Sequence, residues 1–261
     1  MGIAIDHAGL STTGRRANNE DSLCAEPTLG LYAVADGMGG YEGGEVASRL
    51  AVETLAEFLR RNRGDDDVTW PFGIDPALDP EENLVSVAVR LAHREVLARQ
   101  TGHLDRMGST LALMVAQGSN VVLAHVGDSR IYRLRAGTLL PLTRDHSLWA
   151  ELQASGMSGL PSRESYQYSH VITRALGMSG ETRPELRREQ LLPGDVYLLC
   201  TDGVTEKLTD AQLAALLAAP QSARELCRAI VDAAFAAGGR DNITAVVLRV
   251  QPSSSPPSSR P

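Results

Sequence analysis

Four aspartates in this 261-residue chain stand at the ends of apolar runs, each with glycine close by. Asp36 closes the run 31–35 and is followed by Gly37, Met38, Gly39 and Gly40. Asp128 follows the run 121–126 and Gly127, and Asp202 sits between the run 196–200 and Gly203. Asp241 comes after Gly238, Gly239 and Arg240 and precedes the run 243–250. Acids at strand ends converge where strands share a sheet edge or where two sheets face each other. Gathered carboxylates repel unless something positive sits among them. The simplest such partner is a hard divalent cation, which prefers oxygen ligands. Taken singly, each aspartate reads equally well as a turn or cap residue; the recurrence points to metal.

The elements that position these acids can be read from periodicity. The run before Asp36 is short and evenly apolar, as in a strand buried on both faces. The glycines after it permit positive φ and close backbone approach. Val46, Ala47, Leu50, Ala51, Leu55, Phe58 and Leu59 then fall at helical spacing. Asp79-Pro80-Glu81-Glu82 carries a helix start, with Asp at the cap, Pro in the first turn and Glu three after the cap. Leu84, Val87, Ala88, Leu91 and Ala98 mark that helix's buried face, and His93 is expected on its surface. Residues 111–116, 121–128, 131–135 and 138–142 follow one another as strands with short turns, so the sheets are antiparallel rather than built from βαβ units. Residues 147–169 read as a mobile flap. Short helices are expected over 211–218 and, from a Ser222/Glu225 capping box, through Phe235. The domain is expected to span 1–250, followed by a disordered Pro/Ser-rich tail over 251–261. The loop 61–79 holds an acid triplet, Asp65-Asp66-Asp67, which reads as a solvated turn.

A net charge of −7 argues against nonspecific nucleic-acid binding. No apolar run is long enough to span a bilayer, and residues 1–10 do not resemble a signal peptide. The three cysteines, Cys24, Cys200 and Cys227, form no CxxC pair and none is followed by arginine at the sixth position. They are expected as buried core residues in a reducing cytoplasm. The GxxxxGK[ST], GxSxG and HExxH motifs are also missing from the sequence.

Eight short motifs, in order, resemble the metal-dependent protein phosphatases of the PP2C (PPM) family, bacterial branch. They begin at Arg16, Val34, Met107, Val126, Thr143, Thr173, Cys200 and Gly239, and the first contains Asn19-Glu20-Asp21. The resemblance implies an α+β fold, an αββα sandwich of two antiparallel sheets flanked by helices. It implies hydrolysis of phosphoserine and phosphothreonine in proteins, reversing a bacterial Ser/Thr kinase, by metal-activated water without a covalent intermediate. It also implies two tightly bound Mn²⁺ or Mg²⁺ ions and a third, weaker one. Asp36 would bridge two ions and the Gly37 carbonyl would bind one of them. Asp202 and Asp241 would complete the first site. Glu20 or Asp21 would hold the second metal through waters, and Asp128 would support the third with Asp202. Arg16 would grip the phosphate, and Arg16, Asp36 and Asp202 would carry catalysis. The partners implied are phosphorylated proteins and a cognate kinase, met by a monomer. Some relatives carry His where this chain has Met38, which cannot donate a proton. His146 is expected to have a structural role, leaving water as the acid. The alternatives are a phosphoprotein-binding module that has lost catalysis, or a phosphatase of anti-sigma-factor antagonists.

Overall fold

The structure is a computed structural model and describes residues 2–40, 42–64 and 70–253. The acid triplet at 65–67 and the tail from 254 lie outside these residues. The chain runs β1 (Ile3–Thr12), β2 (Asp21–Glu26), β3 (Leu31–Met38), α1 (Gly43–Asn62), α2 (Pro80–Arg99), β4 (Gly108–Ser109), β5 (Leu111–Gln117), β6 (Asn120–Val126), β7 (Arg130–Arg135) and β8 (Thr138–Pro141). It continues through α3 (Leu148–Ala154), β9 (Glu185–Gln190), β10 (Val196–Cys200), α4 (Asp202–Thr205), α5 (Asp210–Leu217), α6 (Ala223–Ala236) and β11 (Ile243–Pro252). One antiparallel sheet has the order β1-β11-β10-β7-β8; the other has β2-β3-β5-β6-β9, with β4 paired to the end of β3.

Side-chain alternation along β3 shows how the layers form. Tyr32 and Val34 point into the space between the sheets, where they join Met114, Ile131, Tyr197, Leu199 and Val246. Ala33 and Ala35 point the other way, onto Leu55 of α1 and Val85 of α2. On the far side, Leu198 and Val247 meet Leu213 of α5 and Ile230 of α6. Both faces of each sheet are therefore covered, and so the central strands read as unbroken apolar runs. The capping boxes expected at Asp79/Glu82 and Ser222/Glu225 are present, and all three cysteines are buried and free.

Two expectations are revised and two elements are added. β11 continues through Pro252, which pairs with Ile3, so residues 251 and 252 belong to the sheet. Pro252 lies past the end of the β10 pairing, which stops at Arg249, so its missing N–H breaks no ladder there. Residues 147–169 contain α3, capped by the Ser147 side chain, and a 3₁₀ turn at Arg163–Ser165. β9 pairs with β6 at a sheet edge; its run Glu-Leu-Arg-Arg-Glu-Gln carries no apolar stripe to announce it. His93 is only 5% exposed. Its imidazole is held between backbone groups of a loop that crosses α2, with Nδ1 accepting from the Gly177 N–H and Nε2 2.9 Å from Gly180 O.

Candidate metal centre

Strand register brings the first two acids together. Asp21 of β2 lies directly opposite Asp36 of β3, a placement that is unfavourable for like charges. Asp202 opens α4 just after β10, and Asp241 comes just before β11, both on the facing sheet. Asp128 occupies the crossing from β6 of one sheet to β7 of the other. The acids thus meet at one end of the sandwich, where strands of both sheets terminate.

Burial and mutual repulsion raise these carboxyls. Asp36 is pushed well above the usual range, first by desolvation and then by Asp21, Asp202 and Asp128. Desolvation, with Asp128 and Glu206 nearby, pushes Asp202 up to about 8. Asp21 is pushed up to about 7 by burial, although Thr201 and Thr244 hydroxyls work against the rise. Asp128 reaches about 6, through burial and the charge of Asp145. Glu20 is raised chiefly by burial. Asp21 Oδ1 and Asp202 Oδ1 are buried without a hydrogen-bond partner. Orphaned oxygens in a crowd of raised carboxyls are what an all-oxygen cation site looks like without its ion. The donor set therefore fits a hard divalent metal.

The predicted residues do not all share one surface. Arg16, Glu20, Asp36, Gly37, Asp202 and Asp241 line a cleft of about 760 Å³. Asp128 and Asp202 line an adjoining cavity of about 590 Å³, with Arg163, Trp149 and Lys207 on its walls. Asp21 stands behind the cleft, with Oδ2 accepting from Thr201 Oγ1 at 2.9 Å. Arg16 pairs with Asp241 at 2.8 Å, not with Glu20 or Asp21; because this pair is exposed, it adds little to stability. Met38 lines the cleft.

Several supporting contacts are not readable from the sequence, although Gly37, Ser109, Thr110 and Asn242 lie within the motifs that carry the resemblance. Asn242 accepts from the Glu20 N–H at 2.7 Å and donates to Thr13 O and Asn18 O, tying the Arg16 loop to the Asp241 turn. Ser48 of α1 donates to Glu20 O at 2.6 Å. A Cβ on Gly37 would come within 2.0 Å of Gly44 O, so glycine is required where β3 meets the start of α1. Thr110 N–H donates to Asp36 O at 2.8 Å, and the Ser109 hydroxyl reaches the same oxygen at 3.1 Å.

A second cluster, His125, His146 and Glu185, places three ligand-type atoms within 4.8 Å of one another. Gly127 N–H donates to His146 Nδ1 at 3.1 Å, so the proton resides on Nε2, which lies 3.0 Å from Glu185 Oε1. That tautomer leaves Nε2 no lone pair for a metal. His146 also donates its own N–H to Gly127 O, and so clamps the residue before Asp128, consistent with a structural role.

Against this geometry, the sequence profile of the protein phosphatase 2C family matches residues 8–234. The chain belongs to that family. It is 36% identical over 251 residues to the serine/threonine protein phosphatase PstP of Mycobacterium tuberculosis, covering 95% of this chain and 45% of that protein. The chain thus spans about half the length of that relative. It is 32% identical over 222 residues to the serine/threonine phosphatase stp of Listeria welshimeri, covering 84% of this chain and 83% of that protein. Among solved structures, the PstP catalytic domain in complex with two manganese ions superposes with a TM-score of 0.80 at 34% identity, covering 96% of this chain and all of that one. Among the described residues no helix is long and apolar enough to cross a membrane.

Proposed function

We propose that this chain hydrolyses phosphoserine and phosphothreonine in proteins, using divalent metal held by the converged acids. The observation that carries the reading is the meeting of acids from both sheets, of which Glu20, Asp21, Asp36, Asp128 and Asp202 are raised by burial and Asp21 and Asp202 each have an orphaned oxygen, beside Arg16 in an open cleft. Family membership and the two manganese ions of the PstP catalytic domain support it.

Asp36, Asp202 and Asp241 would hold one metal, Asp36 would also serve a second, and the Gly37 carbonyl would bind one of the two. Of the two candidates for the second position, Glu20 lines the cleft whereas Asp21 stands behind it, which favours Glu20 as the direct neighbour. Asp128, in the adjoining cavity with Asp202, is assigned to the third, weaker position. Divalent cations in such a site supply positive charge to phosphoryl oxygens and lower the pKa of water. Arg16 sits on the cleft wall with a planar donor fork matched to phosphate; one of its donors, Nη2, is taken by Asp241. Met38 offers no proton to the leaving serine or threonine oxygen, so water in the open cleft is assigned that task.

The test is hydrolysis of a phosphothreonine peptide with Mn²⁺, with Mg²⁺ and with EDTA. Turnover is expected only with metal, and D36N is expected to abolish it along with tight Mn²⁺ binding. Binding of the phosphopeptide without turnover would instead favour a phosphoprotein-binding module.

A further inference from the structure

The site described so far leaves one buried histidine unused. His93 lies on α2, behind the cleft wall formed by Gly177, Met178 and Ser179. Its Nδ1 accepts from the Gly177 N–H at 3.1 Å, which places the ring proton on Nε2, 2.9 Å from Gly180 O. One neutral imidazole thus satisfies a donor and an acceptor at the two ends of a four-residue loop. Gln100, the C-cap of α2 two turns beyond His93, donates from Nε2 to Gly177 O and to Met107 O, both at 2.7 Å. Gly177 and Gly180 both have positive φ, 86° and 102°. A Cβ at Gly177 would come within 2.6 Å of Val96 and 2.7 Å of Met107 O. The loop is therefore bent by its glycines and pinned from behind by α2, while Met178, 39% exposed, faces outward.

The loop's near end is joined to the acids. Leu176 exchanges two backbone hydrogen bonds with Ser109, at 3.0 and 2.8 Å. Ser109 in turn donates its hydroxyl to Asp36 O. These bonds do not involve His93, so the acids keep their support when the far part of the loop is released. From this separation we infer that His93 is a positioning residue: it holds residues 177–180 as a wall that contacts the protein part of a phosphoprotein substrate, without taking part in phosphate chemistry. The inference rests on the phosphatase reading above.

On this inference a small aryl phosphate makes little use of the wall, whereas a peptide lies along it. The test compares wild type, His93→Leu and His93→Gln at saturating Mn²⁺, on p-nitrophenyl phosphate and on a phosphothreonine peptide. Glutamine retains one acceptor and one donor; leucine retains neither. H93L is expected to raise KM for the peptide by about five- to tenfold, with kcat and all aryl phosphate parameters within about twofold of wild type. H93Q is expected to recover most of the peptide KM. Backbone amide exchange at Gly177 should accelerate in H93L and be restored in H93Q. If H93L does not fold, Gln100→Leu, which cuts the other tie to Gly177, carries the same expectation for peptide KM. Equal losses on both substrates, an unchanged peptide KM, or no recovery in H93Q would overturn the positioning role alone. A wild type inert on both substrates would overturn the phosphatase reading and this inference with it.

Discussion

Arg16 shows how a single side chain can serve two partners. Its guanidinium reaches Asp241 from an exposed loop, and Asp241 is one of the carboxylates assigned to metal. A cation on Asp241 would compete with Arg16 for the same oxygens and free the arginine fork for phosphate. Arg16→Ala is therefore expected to raise KM and to weaken inhibition by inorganic phosphate by about tenfold, with a smaller fall in kcat. Steady-state kinetics with and without phosphate check this; unchanged inhibition would leave Arg16 as a surface ion pair. Arg16→Lys should recover only part of the effect, since a point charge does not reproduce the fork.

At the scale of elements, much was legible because apolar runs ending in Asp and Gly mark where buried strands leave the core. The capping boxes were legible because their two partners lie three residues apart. What was hidden depended on contacts distant in sequence. Nothing near His93 shows that its helix face will be covered by residues 177–180. Nothing near Arg16 selects Asp241, which is 225 positions away, over the acids four and five positions along. β9 was hidden because an edge strand can be polar on most of its length. α4 was hidden by its brevity, yet it aims Asp202. Its fit depends on Gly203, where a Cβ would lie 1.9 Å from Asn242 O. Gly203→Ala must push α4 away from the start of β11 and so part Asp202 from Asp241. Mn²⁺ affinity is expected to fall by about 10–100-fold, as calorimetry would read. An unchanged affinity would mean that the two acids do not share an ion.

Across the whole molecule, the acids act as a seam between the sheets. Asp21 and Asp36 come from one sheet, and Asp202 and Asp241 flank strands of the other. In metal-free protein this seam must depend on pH. Asp21, at about 7, Asp202, at about 8, and Asp128, at about 6, all lie above the value of about 3.9 for an unfolded aspartate. Between those limits the folded protein binds more protons than the unfolded chain, so its stability falls as pH rises. The buried histidines act in the opposite sense. Burial, with His125 alongside, lowers His146 to about 4, and burial lowers His125, whereas an unfolded histidine titrates near about 6.5. Below that pH the unfolded chain takes up the extra protons, and stability is lost as pH falls. The raised carboxyls outnumber the two histidines, so in EDTA the melting temperature is expected to fall as pH rises from about 5 to 9, the histidines only blunting the slope below about pH 6.5. Saturating Mn²⁺ should flatten this decline, where it replaces protons among the carboxylates. D36N in EDTA should flatten it in part, because one charge has been removed from the seam. Thermal melts from pH 4.5 to pH 9, with and without metal, read all three effects. A metal-free decline no steeper than the metal-bound one would show that the acids are not crowded in solution.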